Sequence, residues 1–254
     1  MSTDIEGKTA LIFGASTGIG AAIARRFGEL GANLIVHYRS SAAEAEAVAA
    51  DIRAAGGKAD LLQGDIADPG TAGSLVEEAH RRLGRLDIVV NNAGTMFGRS
   101  ATVDVSDEQY RKVIDLNIGG VFFASRRAAE IMRDARRGTI INTTSIAART
   151  GGSDGAGLYG SAKAFVSTFT RVLAKELAPF GVRVNAVAPG VIQTPFHERY
   201  STAEQLDAAR RGIPLGRLGT AEDCVGAYEF LASERMSGYI TGQIIEVNGG
   251  QLMP

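Results

Sequence analysis

The 254 residues are 45% hydrophobic and 22% charged, an ordinary globular composition with enough length to bury a large apolar core. Lys and Arg number 27 against 28 Asp and Glu, a formal charge of −1 that argues against both a nucleic-acid-binding face and a polybasic membrane anchor. Cys224 is the only cysteine, which excludes an intrachain disulfide framework and fits a reducing, cytoplasmic setting.

The N-terminal "MSTDIEGK" has no apolar stretch of the kind a leader carries, and no apolar run approaches a membrane span. Short β-branched runs then alternate with helical patterns. "TALIF" (9–13) reads as a buried strand, followed by a helix in "GIGAAIARRFGEL" (18–30). "NLIVHY" (33–38) is a second strand before a helix over 42–55, and "DLLQG" (60–64) a third before a helix within 71–83. "LDIVVN" (86–91) precedes a long helical stretch over 108–136, and "TIINTT" (139–144) precedes a helix over 159–178. "VRVNAV" (182–187) leads into a variable stretch, after which come a helix near 221–232 and a last strand, "QIIEVN" (243–248). Strands without polar alternation are buried on both faces, so this order predicts an α/β chain with a parallel sheet of about seven strands and helices on both sides. One domain over 1–254 is the simplest division. Its mobile part is expected near 190–219, where a long stretch without a strong pattern borders the site.

At the junction of the first strand and first helix, Gly14, Gly18 and Gly20 are spaced G-x-x-x-G-x-G. Backbone approaches a pyrophosphate only where side chains are absent, and a helix N-terminus offers free N–H groups and a positive dipole end. The same glycines also serve a turn that only lets the helix pack tightly; the strand–helix context favours nucleotide binding. The second strand ends in His37, Tyr38, Arg39 and Ser40, with no acid to pair with a ribose 2′-hydroxyl. Arg39 is either the partner of a 2′-phosphate or a solvated loop arginine; the missing acid favours NADP, with NAD as the alternative. His37, His80 and His197 are far apart and form no metal-ligand spacing, so no metal is expected.

In "LYGSAKAF" (158–165), Tyr159 and Lys163 are four apart and share a helix face. An ammonium beside a phenol lowers its pKa and readies it for proton transfer. The pair alone is weak, because Tyr and Lys fall four apart often.

Together with "GASTGIG" (14–20), "GDI" (64–66), "NNAG" (91–94), Asn117 in "DLNIGGVF", Ser145 in "TTSIAA", "YGSAK" (159–163), "PGVIQT" (189–194) and "SGYITGQIIEVNGG", the pair makes the chain resemble the short-chain dehydrogenase/reductase family over nearly its whole length. The resemblance implies a single-domain Rossmann fold and a doubly wound sheet. It implies Tyr159 as general acid in reduction and base in oxidation, and Lys163 as the group that lowers its pKa and bonds the nicotinamide ribose. Ser145 would bond the substrate oxygen, and Asn117 would hold a water linking Lys163 to solvent. Ser16, Thr17 and Ile19 complete the glycine loop, while Tyr38, Arg39 and Ser40 meet the adenosine ribose. Asp65 and Ile66 would bracket the adenine; Asn91, Ala93 and Gly94 would line the cofactor channel; Pro189, Gly190, Ile192 and Thr194 would form the nicotinamide side.

Two departures from the family pattern stand out. Phe13 replaces a more common threonine before Gly14, and the segment from Ser145 to Tyr159 is one residue longer than usual, which leaves Thr144 as the alternative to Ser145. The implied function is an NADP-dependent oxidoreductase interconverting a carbonyl and a secondary alcohol, similar to the 3-oxoacyl-carrier-protein reductase and glucose dehydrogenase branches. A sugar or polyol dehydrogenase is the alternative, and a non-catalytic nucleotide-binding regulator a further one. A small molecule would be the substrate, and a homo-oligomer, tetramer or dimer, the assembly. His197 reads as an exposed loop residue, Arg210 and Arg211 as a solvated helix face, and Cys224 as a small core hydrophobe.

Overall fold

The structure, a computed structural model, describes residues 4–253. Among these, β1 (Thr9–Phe13), β2 (Asn33–Tyr38), β3 (Lys58–Gln63), β4 (Ile88–Asn91), β5 (Gly138–Thr143), β6 (Val182–Pro189) and β7 (Ile244–Val247) form one sheet. Its order is β3-β2-β1-β4-β5-β6-β7, and every neighbouring pair is parallel. The apolar runs of β1 and β6 are buried along their whole length, as strands covered on both faces must be.

The helices are α1 (Gly18–Glu29), α2 (Ala42–Ala54), α3 (Pro69–Leu83), α4 (Asp107–Ile114), α5 (Val121–Ala135), α6 (Ala147–Thr150), α7 (Gly157–Leu177), α8 (Pro195–Tyr200), α9 (Ala203–Arg211), α10 (Ala221–Ala232) and α11 (Glu234–Ser237). Phe27 of α1, Ile52 of α2 and Tyr228 of α10 belong to the core on one side of the sheet. Val76 of α3, Met132 of α5 and Leu173 of α7 belong to the core on the other. This is the doubly wound, Rossmann-like arrangement expected. β1 pairs with β2 on one side and β4 on the other, so the chain changes direction of winding there. A ligand crevice opens at the C-terminal strand ends beside such a switch point.

Two stretches differ from expectation in ways that bear on the site. The helical stretch over 108–136 is α4 and α5 joined by a π-helical turn, Asp115–Gly120. A Cβ on Gly120 would stand 2.9 Å from Ile66 Cδ1, so the turn packs its bare backbone on Ile66. The variable stretch after β6 carries α8 and α9, the latter started by a reciprocal capping box between Thr202 and Gln205. Phe13 is fully buried and meets the His37 ring edge-on at 4.9 Å, so the departure before Gly14 is taken up in packing. Among the described residues no helix is long and apolar enough to cross a membrane.

Candidate active site

A cleft of about 820 Å³ runs from the glycine loop to α8 and α9. At one end, Gly14 and Gly18 hold left-handed φ angles of 67° and 57°, which a side chain disfavours. Gly20 is closed in differently: a Cβ there would lie 2.1 Å from the Gly14 carbonyl oxygen and 2.5 Å from Asn92 Nδ2. Thr17 caps α1 without a side-chain hydrogen bond, so the first N–H groups of a twelve-residue helix stay available to an anion. Ser16, Thr17 and Ile19 line the cleft beside them.

His37 supports this loop from below and is 2% exposed. Its Nδ1 accepts from the Gly14 N–H at 3.2 Å and its Nε2 faces the Gly64 carbonyl at 3.1 Å, an arrangement that the neutral Nε2–H tautomer satisfies on both sides. Burial, opposed by the Gly64 contact and Asp65, lowers the imidazole pKa to about 4. The unfolded chain takes up this proton below about 6.5, whereas the folded chain waits until about 4. The stability is therefore whole above pH 6.5 and is lost as the pH falls toward 4, by on the order of 3 kcal/mol. Urea melts of the parent and His37→Asn are expected to differ, with the parent losing about 2 kcal/mol more between pH 7 and pH 5. Parallel losses would count against a buried neutral His37.

Tyr38, Arg39 and Ser40 line the same end. Arg39 is exposed, with its guanidinium 3.7 Å from Asp65. Asp65 also turns back on its own backbone, accepting from the Ala67 N–H at 3.0 Å. Ala93 and Gly94 line the cleft as expected, but Asn91 faces the other way. Its Nδ2 donates to Ser125 Oγ and to Asn142 Oδ1, both at 2.8 Å, within a buried polar chain. Strand alternation explains the turn: Asn91 ends β4 pointing inward, and the next residue, Asn92, faces the cleft and donates to the Gly14 carbonyl at 3.0 Å.

At the other end Ser145, Tyr159 and Lys163 meet. Of the two hydroxyls at the end of β5, Thr144 turns inward, its Oγ1 donating to the Lys163 carbonyl at 2.8 Å. Ser145 lines the cleft beside Tyr159, and its Oγ accepts from the Ala147 N–H at 3.1 Å. Gly151, Gly152 and Gly155, all at positive φ, absorb the longer connection to α7.

Lys163 is buried to 1% exposure. Its Nζ donates to the Thr143 carbonyl at 2.9 Å and stands 5.6 Å from the Tyr159 ring centroid. The expected lowering of the phenol is not what the chain alone produces. Burial raises the Tyr159 pKa, with the Ser145 hydroxyl opposing it, and burial brings Lys163 down to about 8. The ammonium is committed to a carbonyl and lies against the ring, so desolvation outweighs it.

Asn117 sits in the π-helical turn, fully buried. Its Nδ2 donates to the carbonyls of Thr95 and Val113 at 2.8 and 2.9 Å, and its Oδ1 has no partner among the described residues. A Cβ on Gly94 would lie 2.7 Å from that Oδ1 and 2.9 Å from Lys163 Nζ, so both polar atoms crowd one glycine. Pro189, Gly190, Ile192 and Thr194 wall the middle of the cleft, where Thr194 Cγ2 approaches Gly18.

α8 covers Tyr159: the rings of Phe196 and Tyr159 are 5.5 Å apart, and Tyr200 accepts from Thr95 Oγ1 at 2.8 Å. His197, expected to be exposed, is half-buried in the cleft wall with Nδ1 2.9 Å from Ser201 Oγ. The amphipathic period of so short a helix carries no signal that would have shown this. Arg210 and Arg211 do lie on an exposed face, both paired with Asp207. Cys224 is buried in the core, where its thiol is pushed up to about 12.

A family described as enoyl-(acyl carrier protein) reductase matches residues 14–251. A 3-oxoacyl-acyl-carrier-protein reductase of Synechocystis is 39% identical over 251 residues, 99% of each chain. A solved short-chain type dehydrogenase/reductase from Mycobacterium marinum is 37% identical with a TM-score of 0.93, covering 99% of this chain and 98% of that one. An NADH-dependent reductase solved in complex with NAD is 35% identical with a TM-score of 0.89, covering 100% of both chains. The parallel sheet, the glycine loop at its switch point and likeness along the whole length lead to one assignment: this chain belongs to the short-chain dehydrogenase/reductase family and is an oxidoreductase acting between carbonyl and alcohol groups.

Proposed function

We propose that the protein is an NADP-dependent carbonyl reductase of the 3-oxoacyl reductase type, with Tyr159 as its proton donor. The observation that carries this reading is the convergence of Ser145, Tyr159, Lys163 and the unpartnered Asn117 oxygen at one end of a cleft whose other end is the bare glycine loop. The dinucleotide fits that cleft on two counts: an open helix N-terminus suits its pyrophosphate, and no side chain fills the loop beside it. When bound, it supplies the hydride.

The chain's residues supply the rest. The raised phenol keeps its proton at neutral pH and gives it up only to an oxygen that is becoming an alkoxide. Ser145 donates a hydrogen bond to the same oxygen as charge develops. Lys163, at about 8, is an ammonium at pH 7 and stabilises the phenolate once the proton has left. The Asn117 oxygen beside it is placed to accept from a water that returns the proton.

NADP is preferred over NAD because β2 ends without a carboxylate and Arg39 stands exposed on the cleft wall, its Asp65 contact long enough to yield to a 2′-phosphate. Arg39→Ser is expected to raise the KM for NADPH by roughly 10- to 100-fold and leave that for NADH nearly unchanged. Equal effects on both would move the preference to NAD.

The reading is tested by NADPH oxidation against 3-oxoacyl thioesters, ketones and aldehydes. Turnover of the thioesters supports it. Activity confined to sugars or polyols with NADP⁺ would replace it. The exposed Phe165 and Val172 on α7 support a homo-oligomer, and sedimentation is expected to show more than one chain per particle.

A further inference from the structure

We propose that Arg99, with Ser201 and His197, forms an anion-recognition corner in the substrate end of the cleft, so that carbonyl substrates bearing an anionic group, a carboxylate in the simplest case, bind in preference to their neutral analogues. The inference rests on the reading above for the carbonyl, and on a separate observation for the charge.

Arg99 is half-buried in the wall of the cleft that holds Tyr159. Its Nε donates to the Tyr200 carbonyl, its Nη1 donates to Ser153 Oγ and the Asp154 carbonyl at 2.9 Å each, and its Nη2 donates to Ser201 Oγ at 3.4 Å. Every acceptor is neutral. Among the described residues Arg99 has no ion pair, whereas Arg39, the arginine at the other end of the cleft, has Asp65. A guanidinium withdrawn from water without a carboxylate loses hydration that neutral acceptors restore only in part.

Counting donors locates the unfilled position. A guanidinium has five N–H groups. Nε uses its one and Nη1 both of its two, but Nη2 has only the long contact to Ser201. Ser201 Oγ is shared with His197 Nδ1 at 2.9 Å, which leaves Nε2 as the ring nitrogen with no hydrogen bond among the described residues. Burial and the nearby Arg99 charge hold the imidazole at about 4, so His197 is a neutral hydrogen-bonding group and the positive charge belongs to Arg99 alone. α8 joins this corner to the chemistry: Phe196 packs on Tyr159 at 5.5 Å and on Tyr200 at 5.2 Å, and Tyr200 is held by Arg99. A substrate lying along Phe196 would meet Tyr159 with its carbonyl and Arg99 with its acid.

Arg99 also ties α8 to the loop at Ser153, so the test must separate charge recognition from a tie. Matched pairs of 2-oxo and 3-oxo acids and their methyl esters do this. With the NADPH-loaded parent, the acid is expected to show a KM at least ~10-fold below its ester. Arg99→Met should raise the acid's KM by about that factor more than the ester's, any rise shared by both measuring loss of the tie. A Ser201→Ala variant keeps the tie through Nε and Nη1, and should weaken the acid alone by a smaller factor. The same pairs are titrated by calorimetry into NADP⁺-loaded protein, which cannot reduce them. Tighter binding of acids, lost in Arg99→Met, supports the corner even if none of the pairs turns over. No preference in the parent, or equal weakening of acid and ester in the variant, overturns it. Failure to reduce acids, esters and 3-oxoacyl thioesters alike, with the binding preference intact, counts against the reductase reading and not against the corner.

Discussion

Tyr159→Phe is expected to lower the rate of carbonyl reduction by about 10³-fold, within the range that a positioned general acid contributes. The change removes one hydroxyl and leaves the ring in contact with Phe196 and beneath Lys163. The ring keeps its packing, so the melting temperature should move little. Cofactor affinity should hold within a few-fold, since the glycine loop, Arg39 and the α1 N-terminus are untouched. Single-turnover kinetics and a dinucleotide titration on the same preparation read the two effects apart. A variant that keeps most of the parent's rate would remove Tyr159 from the role.

Gly20→Ala should produce the second large effect, on binding and folding together. The added Cβ falls 2.1 Å from the Gly14 oxygen and 2.5 Å from Asn92 Nδ2. The first is backbone and cannot rotate away, so α1 must move against β1 or the loop must open. Forced overpacking of this kind costs typically 1–3 kcal/mol, and a backbone contact puts it at the upper end, about 3 kcal/mol. For a chain of this size, the melting temperature should fall by roughly 6–12 °C. Dinucleotide affinity should fall at least ~10-fold, because the loop's geometry is its binding surface. Gly73→Ala, inside α3 where nothing lies within 4 Å, is the control: affinity should not change and the melting temperature should hold or rise slightly.

Most of the scaffold could be read in advance because it rests on short-range rules. Unalternating Val and Ile runs marked β1, β2 and β6, and the glycine spacing marked the loop. Where the reading failed, the outcome depended on contacts distant in sequence. Which of Asn91 and Asn92 faces the cleft follows from the last residue of β4, and strand ends are where pattern is least informative. The π-helical turn that buries Asn117 is invisible in a helical period, because one wide turn leaves the residues on either side helical. The direction of the Tyr159 shift depended on desolvation against a single ammonium, a balance set by what packs around both. His197 became a cleft residue because α8 folds back over α7, and a six-residue helix has too few turns to show which side is covered. The capping pair Thr202 and Gln205 was a readable signal for α9 within the stretch taken as variable.

The central claim is that this cleft reduces a carbonyl, with Tyr159 giving the proton to oxygen. The most direct test is the fate of deuterium from NADPH labelled at the transferable C4 position, followed by mass spectrometry and NMR of the product formed from a 3-oxoacyl thioester. One deuterium is expected on the carbinol carbon and a solvent-derived hydrogen on its oxygen, with the labelled product lost in Tyr159→Phe. Bound dinucleotide with no deuterium reaching any carbonyl carbon across the substrate panel would contradict that claim.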